Sequence, residues 1–160
     1  MRLARGYSET RRRSALSELA SILTEEDLEA IKACRALLKG PTATPTGPGS
    51  FRSVAVTLRQ ALDLYANVRP FKTREGVDAV HRGVDLIVVR ENTEGLYAGV
   101  EYRLSGGAVS LRLITEERSK RIARFAFQLA RRHGRRRVTV VHKANILKET
   151  CGLFRQACFE

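Results

Sequence analysis

The chain contains no tryptophan, one methionine, four prolines and three cysteines in 160 residues, and acidic residues are scarce, 17 against 29 basic ones. Cys34, Cys151 and Cys158 have neither the paired spacing of a zinc site nor the even count of a disulfide framework, so a reducing, cytosol-like compartment is expected. No apolar run reaches the ~20 residues of a membrane helix, which excludes a helical span from the reading. Aromatics make up 6% of the chain, and no zinc-finger, RNA-recognition or helix-turn-helix pattern is present. The hydrophobic fraction of 43% is ordinary for a globular chain, and the length suffices for a core. The net charge of +12 points to nucleic acids or acidic small molecules as partners.

The stretch that organises the rest is residues 51–70, FRSVAVTLRQALDLYANVRP. Val54, Leu58, Ala61, Leu62 and Tyr65 recur at the steps of a buried helical face. Arg52 and Arg59 share a side of that helix with Ser53 and Ala55. The turn-forming run 40–50, GPTATPTGPGS, leads into the helix start. Free backbone N–H groups, a hydroxyl and arginines at a helix start suit an anion. A plain surface helix with Arg59 paired to Asp63 is the alternative.

Upstream, residues 1–17 are rich in Arg and Ser but carry Glu9 and show no amphipathic pattern, so they are not read as a transit peptide. Thr24 followed by Glu25, Glu26 and Asp27 predicts a capped helix start, with Leu28, Ile31 and Cys34 on its inner stripe. Residues 36–38 form a short candidate strand. Residues 84–90, VDLIVVR, read as a strand covered on both faces, as in a parallel sheet. Residues 100–104 and 109–113 alternate apolar with polar around Gly106-Gly107 and predict a β-hairpin. A long helix is expected over 115–133, with Ile122, Phe125, Ala126, Leu129 and Ala130 buried and Gly134 just past its end. A buried strand over 138–141 and a last helix from Ile146, with Leu147, Cys151, Phe154 and Cys158 on one side, complete the pattern. Both cysteines of that helix read as small apolar residues.

The cluster Arg131-Arg132-His133-Gly134-Arg135-Arg136-Arg137 resembles a nucleic-acid patch, but it also sits where a helix C-terminus favours cations. No aromatic interleaves its arginines, so nucleic acid is not expected as the partner. The chemistry gathers instead at strand tips and helix starts, where Ser53, Arg59, Arg69, Arg90, Tyr97, Lys143 and Asn145 stand. Arginine grips carboxylates with two parallel charge-assisted hydrogen bonds that lysine cannot copy, so this set suits a small polycarboxylate. Tyr97 and Lys143 are the candidate proton carriers. Unperturbed phenols and ammonium groups titrate near ~10, so work at neutrality calls for burial or cationic neighbours.

Three segments, LLKGPTATPTGPGSFRSVAVTLRQALDLYANVRP, DLIVVRENTEGLYAGVEY and VTVVHKANILKETCGLF, together resemble the isocitrate/3-isopropylmalate dehydrogenases. These are β-decarboxylating hydroxyacid dehydrogenases that use NAD or NADP with Mg or Mn. The resemblance runs from about residue 23 to the end, with a weaker match at residues 6–9. It implies a partial α/β fold of that family, a sheet with flanking helices plus a β-hairpin clasp arm over 98–114. Residues 1–66 would be a remnant of the first, larger domain, and 67–160 part of the second, with dimer-forming helices.

The resemblance further implies that Arg59, Arg69 and Arg90 hold the substrate's carboxylates and that Tyr97 protonates the enol carbon after CO2 leaves. Lys143 would act in the proton relay of a neighbouring subunit, so a homodimer with shared sites is expected. Asn145, Lys39 and Thr44 would approach the cofactor. Ser53 falls where the isocitrate enzymes place a hydroxyl for the γ-carboxylate, which favours isocitrate over isopropylmalate or homoisocitrate. Ala55 departs from the asparagine those enzymes usually carry two residues after that serine. The family's N-terminal glycine-rich segment, its metal-binding aspartates and its adenosine loop find no counterpart. The chain is therefore expected to be a central, cytoplasmic fragment without dehydrogenase activity of its own, its metal ligands lying outside it; a non-catalytic subunit is the other reading.

Overall fold

Thr24 sets the first helix in the way its sequence implies. Its hydroxyl accepts from the Asp27 N–H at 3.1 Å, while the Asp27 carboxylate accepts from the Thr24 N–H at 3.0 Å. This reciprocal box satisfies two donors that a helix start otherwise leaves open. It also holds the Asp27 carboxyl below its ordinary pKa, through the Thr24 N–H first and the hydroxyl second. The resulting helix α1 (Glu25–Lys32) has no buried residue. The structure, a computed structural model, describes residues 23–44, 47, 50 and 53–160. The basic N-terminal stretch and Arg52 lie outside these described residues. The described residues divide into two compact units between Leu62 and Asp63.

In the first unit, α2 (Val54–Ala61) starts at Ser53, whose side chain makes no capping bond. Of its expected apolar face, Leu58 is buried, Val54 and Leu62 are half-buried and Ala61 is exposed. Residues 36–38 form no strand among the described residues, and Leu38 is 99% exposed. A segment without a neighbouring ladder leaves its N–H and C=O groups to water.

The second unit holds the strands. β1 (Ala66–Lys72) and β2 (Asp85–Glu91) run antiparallel with Arg69 opposite Val88 and Asn67 opposite Arg90. β3 (Gly95–Leu104) and β4 (Gly107–Leu113) form the expected hairpin, its turn completed by Gly106 at φ 76°. The two pairs are separate two-stranded sheets. β2 thus departs from the expected buried parallel strand: its partner is antiparallel, and Leu86 and Val88 stay exposed. Antiparallel pairs tolerate one wet face, so a continuous apolar run does not require cover on both.

Helix α3 (Glu116–Arg132) packs on β2 and on the final helix, α4 (Thr150–Phe159). Ile122 and Ala123 of α3 and Cys151 and Ala157 of α4 are buried apolar residues, a set whose burial contributes about 0.8 kcal/mol per methylene. Burial raises the Cys158 thiol pKa, as befits a cysteine that serves as an apolar residue. Gly134, at φ 63°, ends α3 with its N–H on the Arg131 carbonyl and the Arg135 N–H on the Ala130 carbonyl at 2.8 Å. This doubled bond is the Schellman arrangement. At the other end of the helix's ledger, Lys120 bridges Glu116 and Glu160, each at 2.6 Å, and is pushed up to about 12 by those bonds.

Two further expectations are corrected. Residues 138–141 form no strand among the described residues, and Val141 is 85% exposed. The last helix begins at Thr150, because residues 144–146 first make a turn in which Lys143 C=O accepts from the Ile146 and Leu147 N–H groups. Asp63 pairs with Arg121, not with Arg59.

Candidate functional site

Period-two alternation puts Asn67, Arg69 and Phe71 of β1 on the same face of their sheet as Leu86, Val88 and Arg90 of β2. On this face Arg69 and Arg90 are diagonal neighbours, about 7–8 Å apart along the backbone. Both are exposed. Arg69 Nε donates to Asn67 Oδ1 at 3.1 Å, which turns its guanidinium along the strand. Arg90 Nη2 donates to the Tyr97 hydroxyl at 2.8 Å, and its Cζ lies 5.0 Å from the centre of the Tyr97 ring. A cation above a ring face is attracted by the ring's quadrupole, so the phenol is held from its face as well as its tip. The structure therefore brings together Arg69, Arg90 and Tyr97 of the expected site.

Tyr97 reaches Arg90 by an unusual path. Gly95 faces Leu113 and Val100 faces Leu111, so the β3 residues between them bulge out of register with β4. Bulges of this kind re-aim a side chain. Gly95 and Gly99 flank the bulge with φ of 72° and 67°, in the left-handed region that glycine enters without penalty.

The link between Arg90 and Tyr97 is a buried polar loop. Asn92, Thr93 and Glu94 are each 5% exposed or less. Glu91 accepts from the N–H groups of Thr93 and Glu94, both at 2.9 Å, and from the Thr93 hydroxyl. The Glu94 carboxylate accepts from the Thr115 N–H at 3.1 Å and the Thr115 hydroxyl at 2.9 Å. Arg118 of α3 donates to the Thr93 carbonyl and hydroxyl at 3.2 and 3.0 Å.

Lys143 and Asn145 are exposed on the turn before α4, where the His142 Nδ1 accepts from the Ala144 N–H at 3.1 Å. No hydrogen bond or ion pair joins either side chain to Arg69, Arg90 or Tyr97 among the described residues. In the first unit, Ser53 and Arg59 are half-buried, one at the start and one in the last turn of α2. Thr57 donates both its N–H and its hydroxyl to the Ser53 carbonyl. Lys39 and Thr44 are exposed, and the Lys39 ammonium turns back onto the Gly40 carbonyl.

Asn67 and Glu94 are the contributors that the sequence reading did not single out. The signal for Asn67 is its two-residue spacing from Arg69, which places both on one face. Glu94 gives no such signal, because its partners Thr115 and Arg118 stand more than twenty residues away. Among the described residues no group of three or more His, Cys, Asp or Glu gathers where a metal ion could sit. The described residues supply no ligand set for a divalent metal. No helix among them is long and apolar enough to cross a membrane.

A sequence profile described as isocitrate/isopropylmalate dehydrogenase matches residues 11–160. The chain is 46% identical over 146 residues to a 3-isopropylmalate dehydrogenase of Archaeoglobus fulgidus, covering 91% of this chain and 43% of that one. It is 50% identical over 141 residues to the mitochondrial isocitrate dehydrogenase [NAD] catalytic subunit 5 of Arabidopsis thaliana, covering 88% and 37%. Among solved structures, the isocitrate dehydrogenase from Methylococcus capsulatus superposes with a TM-score of 0.83 at 49% identity, over 92% of this chain and 44% of that one. The chain thus spans less than half the length of the curated relatives it matches. In sequence and in fold, it belongs to the isocitrate/isopropylmalate dehydrogenase family.

Proposed function

We propose that this chain carries the carboxylate-binding and proton-donating part of an NAD- or NADP-dependent dehydrogenase that oxidises and decarboxylates a 2-hydroxy-polycarboxylate, with isocitrate as the substrate. The observation that carries the reading is how the arginines are paired. Arg118, Arg121 and Arg135 each meet a carboxylate, on Glu94, Asp63 and Asp85. Arg69 and Arg90 instead donate to neutral oxygens, on Asn67 and Tyr97. Those contacts aim the two guanidiniums without neutralising them. Two aimed, uncompensated forks on one face favour a ligand with carboxylates.

In this reading Arg69 and Arg90 hold the substrate's carboxylates, and Tyr97 gives a proton to the carbon that loses CO2. Ser53 and Arg59 are assigned further substrate contacts, Lys39, Thr44 and Asn145 cofactor contacts, and Lys143 a proton relay in a cytoplasmic homodimer. The divalent metal and most of the cofactor's site belong to parts of the enzyme outside these residues, so the 160-residue chain binds substrate without turning it over. Ala55 and the similarity to a 3-isopropylmalate dehydrogenase favour isopropylmalate as the second reading.

The test is titration of the purified chain with isocitrate, isopropylmalate and homoisocitrate, read by NMR at the arginine side-chain N–H groups. Isocitrate should shift the Arg69 and Arg90 signals, and Arg90→Lys should abolish its effect. A larger response to isopropylmalate would reverse the substrate choice, and no response to any of the three would remove the site. Metal-dependent NAD or NADP reduction by the chain would overturn its inactivity.

A further inference from the structure

Arg90 and Tyr97 belong to different sheets. Among the described residues β2 pairs with β1 and β3 with β4, and no strand ladder joins the two pairs across the gap between the guanidinium and the phenol. Nor does the β3–β4 ladder fix Tyr97, which stands inside the stretch where the register slips between Gly95 and Val100. Two flexible glycines bracket it. Among the described residues the strand ladders leave the 2.8 Å contact to be supported by other bonds.

The buried loop supplies that hold. Its Glu94 carboxylate is tied to the N–H and hydroxyl of Thr115, the residue that caps α3. Its Thr93 is tied to Arg118, in the first turn of the same helix, and to Glu91 at the end of β2. Ser119, 2% exposed, closes the joint by donating its hydroxyl to the Thr115 carbonyl at 2.6 Å. The loop is thus fastened on one side to the strand that carries Arg90 and on the other to the start of α3. Thr93 and Glu94 make these bonds from buried positions, where a broken polar contact is costly.

We propose that Glu94 and Arg118 are positioning residues: by locking the 92–94 loop onto the start of α3, they set the angle at which Tyr97 meets Arg90. Neither need touch the substrate. The inference rests on the functional reading above for its importance to chemistry, but its geometry can be tested without any ligand.

The experiment is NMR on the purified chain with labelled arginine and tyrosine, following the through-space contact between the Arg90 side chain and the Tyr97 ring in wild type, Glu94→Gln and Arg118→Met. The same spectra contain an internal control, the Arg121 guanidinium 4.1 Å from the Tyr65 ring centre. The expected result is loss of the Arg90–Tyr97 contact in both variants with the Arg121–Tyr65 contact kept. Retention of both contacts would overturn the proposal, and so would parallel loss of both, which would mark a general loosening. If Glu94→Gln gives a collapsed spectrum, Arg118→Met is read alone by the same criteria. Failure here leaves the carboxylate titration of wild type untouched, and failure of that titration leaves this result standing.

Discussion

Asp63 and Arg121 form one ion pair whose two halves should differ in worth. Arg121 Nη1 and Nη2 grip the Asp63 carboxylate at 2.6 and 3.1 Å. The aspartate side chain is 62% exposed, so water screens the pair, and such pairs contribute about 0.5–1 kcal/mol. Arg121 does more than pair. Its Cζ stands 4.1 Å from the Tyr65 ring centre, which adds about 0.5–1 kcal/mol, and Tyr65 meets the Phe125 edge at 5.9 Å. Against these gains, Arg121 buries an Nε with no partner among the described residues, and alanine is the better helix former by a few tenths. Arg121→Ala should therefore destabilise by about 1 kcal/mol. Asp63 sits at φ 46°, in the left-handed region where a side chain is strained. Asp63→Gly removes the pair but relieves that strain, and it adds about 0.5–1 kcal/mol of unfolded-state freedom. The terms nearly cancel, so Asp63→Gly should lie within about 0.5 kcal/mol of wild type. Urea unfolding of both variants, compared at equal slope, reads the difference. Equal costs for the two substitutions would refute the reasoning, since the ring contact and the backbone strain would then count for nothing.

Two other perturbations follow from single contacts. Gly134→Ala meets no atom within 4 Å of the added carbon, so its cost is backbone strain alone, about 1 kcal/mol, and it should show as a lower thermal midpoint with an unchanged far-UV spectrum. Arg135 donates to Asp85 and holds its carboxyl below the ordinary 3.8. A depressed carboxylate stabilises the fold above its unfolded pKa and loses that contribution as pH falls through the folded value. Asp85→Asn should therefore flatten the acid limb of the stability curve below 3.8, and a limb identical to wild type's in midpoint measurements down to pH ~2 would argue against the pair.

Local chemistry was legible in the sequence wherever it acts over one or two turns. The box at Thr24, the hairpin around Gly106-Gly107 and the stop at Gly134 all depend on residues within five positions of each other, and each stands where the pattern puts it. The apolar runs were less informative. VDLIVVR and VTVV are both rich in valine, but one finds a strand partner in β1 and the other forms no strand among the described residues. A run of β-branched residues states a preference for extension; it does not name the neighbour that would supply hydrogen bonds. Ile146 failed to start a helix for a related reason. His142 Nδ1 takes up the Ala144 N–H, and the Lys143 carbonyl takes up two more, so a turn satisfies those groups first.

The site shows the same division at longer range. Arg69, Arg90 and Tyr97 were expected at strand tips, but Arg69 stands mid-strand in β1 and Tyr97 within β3. What could not be picked out is which arginines the fold uses for itself. In sequence, Arg90 and Arg118 look alike; in the structure, Arg118 is consumed by Thr93 and Glu94, while Arg90 rests on a neutral phenol. The difference is set by acids that arrive from distant segments, Glu94 by the Arg118 turn, Asp63 beneath Arg121 and Asp85 beside Arg135. In the proposed reading, an arginine binds ligand where no such acid reaches it among the described residues and a neutral acceptor aims it. Replacing Asn67 by Asp would supply that acid, turning Arg69 from an aimed cation into a structural pair. Asn67→Asp should accordingly weaken carboxylate binding while leaving the strand register intact, a combination that loss of the strand alone could not produce.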